Sequence, residues 1–267
     1  MKHQKLEFVI VGCGNLAWHL AKKISKQSNF QLKVYNHQDN AKLQTFKGKF
    51  NCETFSDLKT VSKTADFYFI CVSDKAIPAV VKLLHISQLK GLVMHCSGSQ
   101  PLDLLGPKSK NTAVFYPLQT FTKEDKIHWS DVPIVLEAAN ASVLDRLKPM
   151  VKLFSDKMVV LSYQERLQLH LAAVFANNFV NAMFVEAYQL LPKLNINNED
   201  LLFPLMKQTV MKLEKVNPLN AQTGPAKRKD QIVMAKHLDL IKDQALLKKV
   251  YENISELILL QQKKIHD

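Results

Sequence analysis

The chain has 267 residues, 47% of them hydrophobic and 22% charged, the make-up of an ordinary globular protein with room for two domains. No apolar run reaches the length of a membrane span, and the first apolar segment ends in a glycine loop rather than a cleavage site. No signal peptide or membrane partner is therefore expected, and the default location is the cytoplasm. The net charge of +12 rests almost wholly on lysine, Arg146, Arg166 and Arg228 being the only arginines. Nucleic-acid readers lean on arginine forks and interleaved aromatics, so this excess excludes a nucleic-acid partner and favours anionic ligands.

In chain order, residues 8–11 form a continuous apolar strand that runs straight into G-x-G-x-x-A. Gly12 permits the tight strand-to-helix turn, Gly14 leaves room for a pyrophosphate, and Ala17 lets the following helix pack closely on its strand. Leu16, Leu20 and Ile24 then recur at i, i+4, i+8, beside Ala17 and Ala21, so one apolar stripe faces a sheet. With the amides of Asn15, Leu16 and Ala17 opening that helix, residues 12–17 read as a dinucleotide cradle. Strand 32–36 ends on Asn36 and His37 with no carboxylate on the strand end, where an acid would select NAD. NADP is expected rather than NAD, with Lys42 adding positive character and Asp39 read as a helix N-cap.

Further strands are expected at 67–72, 92–96 and 113–116, and weaker ones at 133–136 and 158–161, with a helix at 77–84 carrying Pro78 in its first turn. This alternation predicts an α/β fold: a doubly wound, mainly parallel Rossmann sheet. Val72 and Ser73 end the 67–72 strand and should pass beside the cofactor, with helix capping as an equal role for Ser73 or Asp74. His95, Ser97 and Gly98 end the 92–96 strand, where nicotinamide and substrate should meet; Ser97 is a candidate hydrogen-bond donor or a turn former. Cys13, Cys52, Cys71 and Cys96 include no C-x-x-C pair and read as reduced thiols. No His/Asp/Glu cluster has ligand spacing, so no metal is expected.

After residue 162 strand signals stop. The expected division is an NAD(P)-binding domain at 1–162 and an all-helical substrate and dimerisation domain at 163–267, with helices over 163–192 (broken near Pro192), 199–215, 230–241 and 243–264. The first of these is so apolar that it needs partners on most sides, which predicts a homodimer through the helical domain. His170, Asn177 and Asn181 share one face at i, i+7, i+11, with Asn178 a fifth of a turn aside. Asp230 reads as the cap of the 230–241 helix.

Residues 12–17 resemble the fingerprint of pyrroline-5-carboxylate reductases and the wider 6-phosphogluconate-dehydrogenase-like group. A closer resemblance is to an uncharacterised family of NADP oxidoreductases that joins a Rossmann-like domain to a helical domain of unknown function. It is carried by Ser97-Gly98, by Phe115-Tyr116-Pro117-Leu118-Gln119-Thr120-Phe121, by Thr223-Gly224-Pro225 through Asp230, and by the helix from His170 through Asn178. The resemblance implies a reductase or dehydrogenase of a small carbonyl or imine compound, with His170 and Asn178 facing the substrate. A non-catalytic NADP-binding regulator or scaffold is the alternative. Two residues depart from the family pattern: Tyr116 stands in place of histidine, which tells against proton transfer there, and Lys229 replaces a glycine, which questions the local turn.

Overall fold

The computed structural model describes residues 5–37, 40–107, 109–191 and 198–263, so Asp39 and Pro192 lie outside the described residues. Contacts divide the chain into two compact units, Met1–Ala182 and Met183–Asp267.

The first unit opens with β1 (Leu6–Val11), α1 (Asn15–Ile24), β2 (Phe30–Tyr35), α2 (Asn40–Phe50) and β3 (Glu53–Phe55). It continues through β4 (Phe67–Ile70), α3 (Ile77–Leu84), β5 (Leu92–His95), β6 (Thr112–Pro117), β7 (Ile134–Ala138), α4 (Ala141–Val151) and β8 (Met158–Val160). The strands form one eight-stranded sheet in the order β3-β2-β1-β4-β5-β6-β7-β8, parallel throughout except where β6 meets β7. From β1 the chain winds first toward β3 and then, from β4, the other way. The switch point therefore lies beyond the carboxyl ends of β1 and β4, where sheets of this kind bind ligands.

Both faces of the sheet are covered, which is why its strands read as continuous apolar runs. Phe8, Ile10, Phe69, Met94 and Phe115 point to the face packed by α1, α2 and α4; Val9, Val11, Tyr68, Ile70 and Val93 point to the α3 face. In α1 the stripe Ala17, Leu20, Ala21 and Ile24 is buried, and Leu20 and Ile24 each contribute about 1.5–3 kcal/mol by leaving water.

Beyond β8 a continuous helical stretch begins with α5 (Tyr163–Ala173), widens into a π-helical segment (Val174–Phe179) and continues as α6 (Val180–Gln189), within which the unit boundary falls. Ser162 and Glu165 form a reciprocal capping box at its start. The 163–182 stretch groups with the sheet rather than with the helices that follow it in sequence. Buried Arg166 supplies the reason, since its acceptors all lie in the first unit.

The second unit is helical among its described residues: α7 (Asn198–Lys212), the one-turn α8 (Pro218–Ala221) and α9 (Pro225–Arg228), α10 (Gln231–Leu240) and α11 (Ala245–Lys263). Lys229 ends α9 in the left-handed conformation (φ 57°), so the turn forms without its glycine. The following Asp230 accepts from the Val233 amide and caps α10. No helix among the described residues is long and apolar enough to cross a membrane.

Candidate active site at the carboxyl edge of the sheet

Gly12 has φ +113°, and a Cβ built on it would lie 2.3 Å from the Cys71 carbonyl oxygen, so only glycine fits where β1 passes β4. Gly14 differs. A Cβ there meets no protein atom closer than 4.0 Å, and the residue is exposed. The space over Gly14 is thus kept clear of the protein's own atoms. Trp18 makes the helix's first backbone bond, to the Gly14 carbonyl, so the amides of Asn15, Leu16 and Ala17 project from the helix end without an intrahelical acceptor. No acid lies in that first turn. Bare carbon, unpaired amides and the positive end of the helix dipole suit a diphosphate.

The Asn15 side chain is already engaged: Nδ2 donates to the Phe121 carbonyl at 2.7 Å, and His19 Nε2 donates to the Thr122 carbonyl at 2.6 Å. These two bonds pin the loop after β6 onto α1, so Asn15 offers a ligand its backbone rather than its amide. Asn36, half-buried, and His37, exposed, follow β2, where the Asn36 amide bonds the Phe55 carbonyl. Val72 packs beside Gly12. Ser73 is exposed and its hydroxyl caps nothing, although the residue precedes a short 3-10 turn at Asp74–Ala76.

At the end of β5 the chain turns sharply. Ser97 Oγ accepts from the amides of Ser99 and Gln100, both at 3.1 Å, which is the turn-forming role weighed for it above. Ser99 Oγ in turn donates to Asp74 Oδ2 at 2.6 Å. His95, fully buried, accepts from the Ser97 amide on Nδ1. Burial, assisted by repulsion from Arg166, holds this imidazole down to about 4. Cys71 and Cys96 touch at 3.6 Å between sulfurs, and that contact together with burial raises the Cys71 thiol well above its ordinary range. Both are free.

Two more residues complete the site: Arg166, given no role in the sequence, and Tyr116, noted there only as a departure from the family's histidine. Arg166 on α5 is fully buried, and its guanidinium donates to the carbonyls of Ser97 (3.1 Å), Gly98 (2.9 Å) and Gln100 (2.8 Å) and to Glu137 Oε2 (3.2 and 2.8 Å). Tyr116 on β6 places its hydroxyl 3.2 Å from His170 Nδ1. A Cβ on Gly98 would lie 2.7 Å from both His170 Nδ1 and Tyr116 Cζ, so this contact exists only because Gly98 has no side chain. Burial raises the Tyr116 phenol above its usual range, with Arg166 acting the other way, so the phenol keeps its proton. Which of the two atoms donates in this bond follows the histidine tautomer. His170 also lines a surface pocket of about 480 Å³ with Gln164, Leu167, Gln168, Leu171 and Val174.

The π-helical segment changes which asparagine shares a face with His170. A π turn takes about one more residue than an α turn, so positions eight apart now stack where seven apart would have. Asn178, not Asn177, comes into line with His170, correcting the i, i+7 alignment expected for a regular helix. In the second unit, Thr223, Gly224, Pro225 and Ala226 line an apolar cavity of about 740 Å³. Lys227 is turned inward, donating to the Gln222 carbonyl.

Residues 7–94 match a family model described as NADP oxidoreductase, coenzyme F420-dependent, and residues 132–258 match a domain of unknown function, DUF2520. Among solved structures, the chain is 30% identical to BF3122 from Bacteroides fragilis, provisionally described as an NADP oxidoreductase, with a TM-score of 0.87 over 97% of this chain and 99% of that one. Two more distant structures share the fold. The reductive aminase from Aspergillus terreus, in complex with NADPH and ethyl-5-oxohexanoate, is 15% identical with a TM-score of 0.74 over 97% and 94% of the two chains. The imine reductase from Myxococcus stipitatus, in complex with NADP+, is 15% identical with a TM-score of 0.65 over the same shares. No curated protein matches the chain.

Proposed function

The chain belongs to the family of BF3122, in which an NADP-oxidoreductase domain is joined to a helical domain of unknown function, and on that premise we propose that it reduces a small carbonyl or imine compound with NADPH. The observation that carries this reading is an imidazole, His170, held over the bare Cα of Gly98 on the sheet edge that also bears the Gly12–Gly14 cradle. When bound, the reduced cofactor supplies a hydride to an electrophilic carbon. Gly12, Gly14 and the amides of Asn15, Leu16 and Ala17 would hold its diphosphate. Asn36 and His37 would meet the 2′-phosphate, and Val72 and Ser73 would flank the nucleotide.

His170 is the proton donor in this reading, acting from its doubly protonated form: as the electron pair of the C=O or C=N bond moves onto oxygen or nitrogen, that atom takes the Nε2 proton, and the ring is left neutral with its remaining proton on Nδ1 toward the Tyr116 oxygen. Tyr116 steadies the opposite ring nitrogen. Asn178, in line with His170, orients the substrate, and Ser97 holds the turn beside it. The reading also takes the chain to be a homodimer through its helical part. The complexes of the reductive aminase and imine reductase support the choice of NADP and of a carbonyl or imine substrate.

Calorimetry with NADPH, followed by NADPH oxidation against a panel of 2-oxo acids and cyclic imines, tests this. Binding with turnover on at least one compound is expected, and a His170→Ala variant should bind NADPH normally but turn over at least about 10²-fold more slowly. Tight binding without turnover on any compound would instead make the protein a non-catalytic NADP-binding regulator or scaffold.

A further inference from the structure

Arg166 has no donor left for a ligand. Nε and one Nη2 hydrogen go to Glu137, the other Nη2 hydrogen goes to Gln100, and Nη1 serves Ser97 and Gly98. A buried cation with every N–H bonded inside the protein cannot clamp a substrate carboxylate or a cofactor phosphate. Its partners show what it does. Three of the acceptors are backbone carbonyls of the 97–100 turn, and one of those belongs to Gly98, the residue on which the His170 and Tyr116 rings rest.

Arg166 also lies four residues before His170, so both side chains leave the same face of α5. One rigid helix therefore grips the turn at Arg166 and supplies the imidazole at His170. The distance between Gly98 and the imidazole is set by a single turn of helix plus one guanidinium. Glu137 fixes the guanidinium from the side of β7. The planar fork matters as much as the charge, because a lysine ammonium could reach only some of four acceptors that are spread around a plane.

We propose that Arg166 is a positioning residue: it seats the 97–100 turn against α5 so that the bare Cα of Gly98 lies under the Tyr116–His170 pair and the imidazole faces the substrate. This rests on the reading of His170 given above. Arg166 touches neither substrate nor cofactor; it acts through Gly98 and His170.

The test is Arg166→Lys in protein labelled with nitrogen-15 at histidine, the His170 signal being assigned by its loss in His170→Ala. The expected result is a folded variant with unchanged NADPH affinity and a His170 Nδ1 resonance displaced toward free imidazole. With the compound that the wild type reduces, kcat should fall roughly 10²-fold and KM should stay the same, as for a misplacement of about an ångström. A folded Arg166→Lys protein with the wild-type His170 resonance and wild-type kcat overturns the proposal, even if its melting temperature is lower.

Should Arg166→Lys not fold, Glu137→Gln keeps the shape and one acceptor oxygen and carries the same test at smaller amplitude. A wild-type resonance there overturns the proposal equally. A wild type that reduces nothing in the panel would sink the reductase reading, while the resonance would still decide whether Arg166 sets the imidazole.

Discussion

Gly12 and Gly14 are two positions apart and answer to different constraints. At Gly12 the protein itself forbids a side chain, through a positive φ and a carbonyl 2.3 Å from the Cβ position. Gly12→Ala should therefore cost about 3 kcal/mol of stability or more, as backbone strain and overpacking together. At Gly14 nothing in the protein objects. Gly14→Ala should melt with the wild type yet bind NADPH roughly ten- to hundredfold more weakly, the cost of a methyl group in space meant for a ligand. Paired melting and calorimetry check this, and equal effects on both properties in both variants would refute it. A second residue gives a pH signature. Unfolded, His95 takes up a proton near 6.5; folded, burial delays that to about 4. Its contribution is intact above 6.5 and is lost as pH falls through that window, up to about 3 kcal/mol. Urea unfolding at stepped pH should show this loss in the wild type and a flatter profile in His95→Asn. The glycines were legible in the sequence because a turn and a close approach leave a local mark. Arg166 was not, because one arginine after a glutamate reads as surface charge. Its i, i+4 spacing to His170 was the available clue.

At the scale of elements, the strands and long helices were legible because their patterns are local and repeated. The 77–84 helix with Pro78 in its first turn formed as expected. The capping box of α5 was missed although its signature is local, a serine at 162 with a glutamate at 165. What escaped was short. The three-residue β3 and the one-turn α8 and α9 are too brief to show a period. The π-helical segment escaped for another reason: an added residue per turn leaves hydrophobic spacing nearly unchanged while rotating everything beyond it. The result matters, since it sets Asn178 rather than Asn177 in register with His170. Lys229 carries a different lesson. Its left-handed conformation costs roughly 1–2 kcal/mol relative to glycine, yet α9 still ends there and Asp230 still caps α10.

For the whole molecule, the exposed apolar residues ask for a partner. In the first unit Leu171, Phe175 and Phe179 recur every fourth residue and are each about half exposed or more. In the second, Ile232, Leu240 and Leu246 are largely exposed. Exposed apolar clusters are a common feature of association surfaces, and the homodimer proposed above would cover such residues. Sedimentation equilibrium should return a dimer that a Leu171→Glu, Phe175→Glu double variant weakens by at least roughly tenfold in Kd; a wild-type monomer at micromolar concentration would rule the dimer out. By itself the amino-acid order determined the doubly wound sheet, the glycine cradle and the helical carboxyl-terminal part, because each depends on neighbours within a turn or two of chain. Only the tertiary structure decided that Gly98, Tyr116, Arg166 and His170 meet. Arg166 reaches acceptors up to 69 positions away, and no local pattern encodes which distant carbonyls a buried guanidinium will choose.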